Sequence, residues 1–199
     1  QAVNGSGLHD IAAAQEIERR HGKLDILVNN AGIIADDADK GVSGQSIATW
    51  RKTFDTNLFG VIETTQALLP LIRKSDAGRI VNVSSLLGSI SEHQNPASFI
   101  YEFKGVPSYN VSKSAVNAWT VHLAHELKDT GIKVNTIHPG YVKTDMNKAG
   151  DVQNGELDAM SGTVKRNAAS ISGSFRSADV DWSSRLEYRK DSGAENRKV

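Results

Sequence analysis

Tyr109 and Lys113 stand four residues apart in the run Ser108-Tyr109-Asn110-Val111-Ser112-Lys113. On a helix that spacing stacks the two side chains on one face. A free phenol has a pKa of about 10 and stays protonated at neutral pH. An ammonium group one turn away favours the ionised phenol, so the pair is expected to have a lowered tyrosine pKa. Such a pair can act as a general acid/base, giving a proton to a carbonyl oxygen or taking one from an alcohol. The same spacing also occurs by chance on solvated helix faces, so the elements that would position the pair have to choose between the two readings.

Three short apolar runs do so. Leu24-Asp25-Ile26-Leu27-Val28 ends in Asn29-Asn30-Ala31-Gly32, Arg79-Ile80-Val81-Asn82-Val83 ends in Ser84-Ser85, and Lys133 to His138 runs into Pro139-Gly140. Each has strand character and stops at small or polar residues. Helical sequence lies between them, a βαβ rhythm that implies a parallel sheet with helices on its faces. Ligands in such sheets bind beyond the carboxyl ends of the strands, and Asn30, Ser85 and Pro139-Gly140 all fall there. Leu8, Ile11, Ala12, Ala14 and Ile17 mark an opening helix stopped by Gly22. Apolar residues from Trp50 to Ile72 mark a helix over about Ser46–Lys74, which Pro70 should kink or end. A further helix is read from Tyr109 to Thr130, with Gly131 as its stop. Position alone makes Ser85 a turn former or cap and Asn57 a solvated or back-bonded residue in mid-helix.

Taken together, Asn29-Asn30-Ala31-Gly32, Asn57 in Phe54-Asp55-Thr56-Asn57-Leu58-Phe59-Gly60, Ser85, Tyr109 with Lys113, and Pro139-Gly140-Tyr141-Val142-Lys143-Thr144 resemble the short-chain dehydrogenase/reductase family, in family order from about Leu8 to Asn147. The long interval between Ser85 and Tyr109 is similar to that of the carbonyl-reductase branch, which carries an insertion there. The resemblance implies a Rossmann-like, doubly wound α/β fold with helices on both faces, and hydride transfer between a nicotinamide and a carbonyl or alcohol carbon. It implies Tyr109 as proton donor, Ser85 as holder of the substrate oxygen, Lys113 as tuner of Tyr109, and Asn57 as anchor of a helix kink and of the proton path. Asn30, Gly32, Tyr109, Lys113, Pro139, Gly140, Val142 and Thr144 are its cofactor-binding positions. NADP(H) is expected over NAD(H), with a small carbonyl or alcohol as substrate. Family members often pair through the helices containing Asn57 and Tyr109, whereas insertion-bearing carbonyl reductases can be monomers.

The rest of the composition bounds these expectations. The 199 residues carry 23 basic and 23 acidic side chains, so nothing calls for nucleic acid or an anionic membrane. No apolar run approaches the ~18 residues of a membrane span. The absence of cysteine removes disulfides and thiolate chemistry and fits a cytoplasmic protein. His93, His122, His125 and His138 show no metal-binding spacing, and no metal site is expected. Residues Glu92 to Gly105, with Phe99, Tyr101 and Phe103, read as a surface insertion whose aromatics line the substrate mouth.

Two irregularities remain. The chain begins at Gln1 and contains no Gly-x-x-x-Gly-x-Gly; Asn4-Gly5-Ser6-Gly7 has no strand ahead of it and reads as a loop and helix entry. The expectation is an N-terminally truncated domain over residues 1–150, without the diphosphate-cradling turn. From Asp151 to Val199 only 8 of 49 residues are Val, Ile, Leu or Phe, below the ~20% at which an ordered core becomes doubtful. A diverged terminus, a disordered one and a shifted reading frame each account for residues 151–199. Ser172-Gly173-Ser174-Phe175 is the one strand remnant read there.

Overall fold

The computed structural model describes residues 5–140, 170–177 and 180–187. The chain divides into two compact units, residues 1–137 and 138–199. In the first, α1 (Gly5–His21) leads to β1 (Ile26–Asn29), then α2 (Ile47–Phe54), a π turn (Asp55–Phe59), α3 (Gly60–Ile72), β2 (Arg79–Val83), the short α4 (Ile90–Gln94), α5 (Pro107–Glu126) and β3 (Lys133–Ile137). The glycines of Asn4-Gly5-Ser6-Gly7 form the first turn of α1, and Gly22 ends that helix at φ +71°.

The three strands lie in the order β1-β2-β3, all parallel, so the α/β class read from the sequence is the one observed. Leu27, Ile80 and Val134 are register partners. They share one face and pack with Leu68, Leu71 and Ile72 of α3 and Leu123 of α5, with Ala14 and Ile17 of α1 against the same cluster. The alternate residues of β1, Ile26 and Val28, are 61% and 53% exposed. Where helices on both faces are expected, the described residues show α1, α3 and α5 on one.

Two helix boundaries differ from the sequence reading. Pro70 lies inside α3 and does not end it, the helix running on to Ile72. Gln66, whose carbonyl loses its N–H partner, and Pro70 are both exposed, so water can take that bond. The last long helix stops at Glu126 rather than Thr130. Thr130 closes a turn instead, its hydroxyl donating to the Leu127 carbonyl at 2.6 Å and accepting from Ile132 N–H at 3.1 Å. Gly131 serves close approach rather than helix stop: a Cβ there would meet the Asp76 carbonyl oxygen at 2.8 Å.

A polar chain crosses the interior beside the apolar cluster. Asn29 Nδ2 donates to Thr65 Oγ1 at 2.9 Å and to Asn82 Oδ1 at 2.8 Å. Asn82 Nδ2 donates to Thr120 Oγ1 at 2.9 Å, which donates in turn to the Val116 carbonyl at 2.7 Å. The chain ties β1, β2, α3 and α5 at the strand ends.

The second unit holds β4 (Ser170–Ser177) and β5 (Val180–Glu187), an antiparallel pair. The strand remnant read at 172–175 lies inside β4; β5 is an addition to that reading. Its sequence alternates Val180, Trp182 and Leu186 with polar residues, a period-two signal, and Phe175 pairs in register with Trp182 and Ile171 with Leu186.

Asn82 is fully buried at the centre of the polar chain. Asn82→Ala should lower the unfolding free energy by about 2–4 kcal/mol, since it leaves buried partners unpaired and opens space. Urea denaturation should show a lower midpoint at unchanged slope; a loss under about 0.5 kcal/mol would mean that these bonds do not hold the strand ends.

Candidate active site

All three parallel strands end on one side, at Asn29, Val83 and Ile137, and α5 begins over those ends. Pro107 opens the helix at its first turn, where a missing N–H costs nothing. Tyr109 and Lys113 follow on its buried side, 8% and 4% exposed. A solvated helix face does not describe this pair. Lys113 Nζ donates to the Val83 carbonyl at 2.8 Å and lies 5.6 Å from the centroid of the Tyr109 ring.

Burial governs both ionisations. The Lys113 ammonium is pulled down to about 8 by loss of solvent. The Tyr109 phenol, expected below its ordinary value, stands above it: burial raises it, and the Ser85 hydroxyl beside it offsets only part of that rise. The sequence reading allowed for the lysine's charge and left out the cost of placing a phenolate in the interior. The consequence is a phenol that holds its proton through neutral pH, the state a proton donor needs.

Ser85 caps the 3-10 turn Leu86–Gly88, its hydroxyl accepting from Leu87 N–H at 3.2 Å. As acceptor in that bond, the oxygen keeps its own hydrogen for another partner. The adjacent Ser84 is buried and donates to the Lys113 carbonyl at 3.3 Å, so it fixes the helix rather than facing the phenol. Gly88 is what lets the turn approach: a Cβ there would lie 2.8 Å from the Lys113 carbonyl carbon and 2.9 Å from its Cβ. Ser114 Oγ donates to the Gly88 carbonyl at 2.9 Å and holds the contact.

Asn57 sits in the π turn, where the Gly60 N–H reaches back to the Asp55 carbonyl. That extra residue per turn is the local distortion expected at this position. The side chain is fully buried, not solvated. Its Oδ1 accepts from Ile33 N–H at 2.8 Å, and its Nδ2 donates to the Ile33 carbonyl and to Ser112 Oγ, both at 2.9 Å. Ser112 Oγ donates to the Tyr109 carbonyl at 2.8 Å. Thr53 and Ser108 hydroxyls meet at 2.9 Å as a second bridge between these helices.

The loop after β1 carries Asn30, exposed, and Gly32, half-buried next to the clamped Ile33. Asp36 in the same loop accepts from Ser108 N–H at 2.8 Å and from Tyr109 N–H at 3.1 Å. Pro139 and Gly140 come one residue after the end of β3 and belong to the second unit, with Gly140 at φ +77°. Val142 and Thr144 lie outside the described residues. The structure thus brings Ser85, Asn57, Tyr109 and Lys113 together around the start of α5. Gly88, Ser112 and Asp36 are additions to the sequence reading. Ser112 carried a signal, three residues after Tyr109; Asp36 and Gly88 carried none, because their partners are distant in the chain.

The insertion is a compact turn structure around Lys104, whose Nζ donates to the His93 carbonyl at 3.0 Å and lies 5.1 Å from the Tyr101 ring centroid. Phe99, Tyr101 and Phe103 are exposed, while Ile100 is buried. His122 and His125 are exposed on α5. Among the described residues no group of three or more His, Asp or Glu is placed to hold a metal ion, and no helix is long and apolar enough to cross a membrane.

The short chain dehydrogenase family matches residues 9–154. The 3-oxoacyl-(acyl-carrier-protein) reductase FabG of Vibrio harveyi is 33% identical over 149 residues, 74% of this chain and 55% of that protein. The short-chain dehydrogenase anuI of Penicillium roqueforti is 38% identical over 151 residues, 74% of this chain and 59% of its own. The crystal structure of NADPH-bound carbonyl reductase from chicken fatty liver superposes with a TM-score of 0.64 at 28% identity, covering 75% of this chain and 59% of that one. The chain belongs to the short-chain dehydrogenase/reductase family, whose members are oxidoreductases with a Rossmann-like α/β fold. It spans between half and three fifths of the length of these relatives.

The buried lysine makes stability depend on pH. The unfolded chain protonates Lys113 below about 10.5 and the folded chain only below about 8. Between those values the unfolded state binds more protons, so stability rises with pH, and below about 8 the full penalty applies. The stability of the wild type relative to Lys113→Met should therefore climb by on the order of 3 kcal/mol from pH 8 to 10.5. A difference that stays flat over that range would show the ammonium to be solvated.

Proposed function

We propose that the protein is an NAD(P)(H)-dependent oxidoreductase acting on a small carbonyl or alcohol, with the chemistry carried by residues 1–150. The observation that carries this reading is the buried Tyr109, kept protonated and flanked by the Ser85 hydroxyl and the Lys113 ammonium. A bound nicotinamide would supply or accept the hydride. Lys113 fits its ribose, since the ammonium has three N–H groups and spends one on Val83. Asn30, Gly32, Pro139, Gly140, Val142 and Thr144 are the positions proposed to hold the rest of the nicotinamide side. For the diphosphate the 199 residues contain no Gly-x-x-x-Gly-x-Gly turn, and no residue is assigned to it.

In reduction, Tyr109 Oη gives its proton to the substrate oxygen while Ser85 Oγ donates a hydrogen bond to the same atom. Lys113 steadies the phenolate that results, and proton return runs past Asn57. Both amide protons of Asn57 are committed to Ile33 and Ser112, so it would serve that path through an oxygen acceptor. NADP(H) is favoured over NAD(H) by the likeness to an NADPH-bound carbonyl reductase and to a gluconate 5-dehydrogenase from Burkholderia cenocepacia solved with NADP and tartrate. A cytoplasmic setting and pairing through the π turn and α5 belong to the same proposal. The second reading is a non-catalytic binding protein of the same fold, since a fold does not by itself fix an activity.

The readings separate in one assay. In the gene product carrying this sequence, Tyr109→Phe should lower kcat/KM for NADPH-linked ketone reduction by about 10²–10⁴-fold, the usual worth of general acid catalysis. A wild type without turnover that also binds neither cofactor by calorimetry would favour the non-catalytic reading, and a Tyr109→Phe variant as fast as wild type would remove the mechanism.

A further inference from the structure

We propose that Asp36 is a positioning residue for Tyr109, its carboxylate setting the place of the phenol relative to the loop that carries Asn30 and Gly32. The inference rests on the oxidoreductase reading above. Helix α5 has no cap of its own: Val106, at φ −128° and ψ 62°, offers no side-chain bond. Pro107 has no N–H, so Ser108 and Tyr109 present the first free donors, and both residues are buried. Left unpaired, such donors are costly. Asp36 takes one on each oxygen, at 2.8 and 3.1 Å, and its negative charge suits a helix N-terminus.

The peptide groups on both sides of Tyr109 are thereby fixed by side chains. Its N–H is held by Asp36, and its carbonyl by Ser112, which Asn57 holds in turn. Asn57 also grips Ile33 through both backbone groups. The loop after β1 is therefore clamped at Ile33 and at Asp36, and both clamps lead to Tyr109. The neighbouring Asp37 does different work: it is exposed, pairs with Lys40 at 2.9 Å and accepts from Asp39 N–H at 3.2 Å. A proton donor displaced by about 1 Å can lose on the order of 10²-fold in rate, so a carboxylate that fixes its backbone should act on turnover more than on binding.

Asp36→Asn keeps the shape but turns an NH2 group toward one of the two backbone N–H donors. In the gene product it should lower kcat by about 10–100-fold while the KM values for ketone and NADPH stay within about 3-fold. In a Tyr109→Phe background the same change should cost less than about 2-fold, because the group it positions is gone. Asp36→Ser, which keeps one acceptor, should lie between, and it supplies the comparison if the Asn variant does not fold. Losses that multiply in the double variant, a rise in KM alone, or a lowered unfolding midpoint with kcat unchanged would each overturn the positioning role. A Tyr109→Phe variant with full turnover would instead remove the proton-donor role of Tyr109 on which it stands.

Discussion

An ammonium group at 4% exposure must be solvated by the protein, and much of the site follows from how Lys113 meets that demand. Its partner is the carbonyl of Val83, the last residue of β2. That bond draws α5 onto the strand end so closely that the following turn needs a glycine at position 88. Ser84 receives the helix by donating to the Lys113 carbonyl. With Lys113 anchored there, Tyr109 is carried one helical turn back toward the N-terminus, onto the same face and beside Ser85. The placement of the phenol is thus a consequence of burying the lysine, and the interior that depresses the lysine's pKa also keeps the phenol protonated.

Cohesion and position are supplied by different residues. Leu27, Ile80, Val134, Leu68, Leu71 and Leu123 form the apolar cluster that binds sheet to helices, a contact that is strong but tolerant of small shifts. Toward the strand ends the interior turns polar, with Asn29, Asn82 and Thr120 in one chain and Asn57, Ser112 and the Tyr109 carbonyl in another. Hydrogen bonds are directional, and a buried one that is broken costs the desolvation of its partners. Placing them here sets the register of α5 against the strands where about an ångström matters.

The strands were legible because each is a short β-branched run stopped by small or polar residues, and their parallel order followed from the helices between them. Tyr109, Lys113, Ser85 and Asn57 were legible because their motifs recur in family order. What the sequence could not show was set by contacts across the chain. Nothing local sets Asp36 apart from Asp37, because its partners at the start of α5 lie 72 residues later in the chain. Gly88 has nothing local to mark it, since its constraint is the backbone of Lys113. The direction of the Tyr109 shift was misjudged because spacing reveals a neighbouring charge but not the depth of burial. β5 escaped notice because a low apolar content obscured its alternation.

The central claim is that this cluster of a phenol, an amine and a hydroxyl delivers a proton in step with hydride arriving from a nicotinamide. The most direct measurement follows the hydride itself. The gene product would be incubated with NADPH deuterated at the transferable position of C4 and a ketone, and the alcohol examined by mass spectrometry and NMR. Deuterium should appear at the carbinol carbon. An alcohol without deuterium, from both faces of C4 tested separately, would contradict hydride transfer from the nicotinamide and with it the account given of Tyr109.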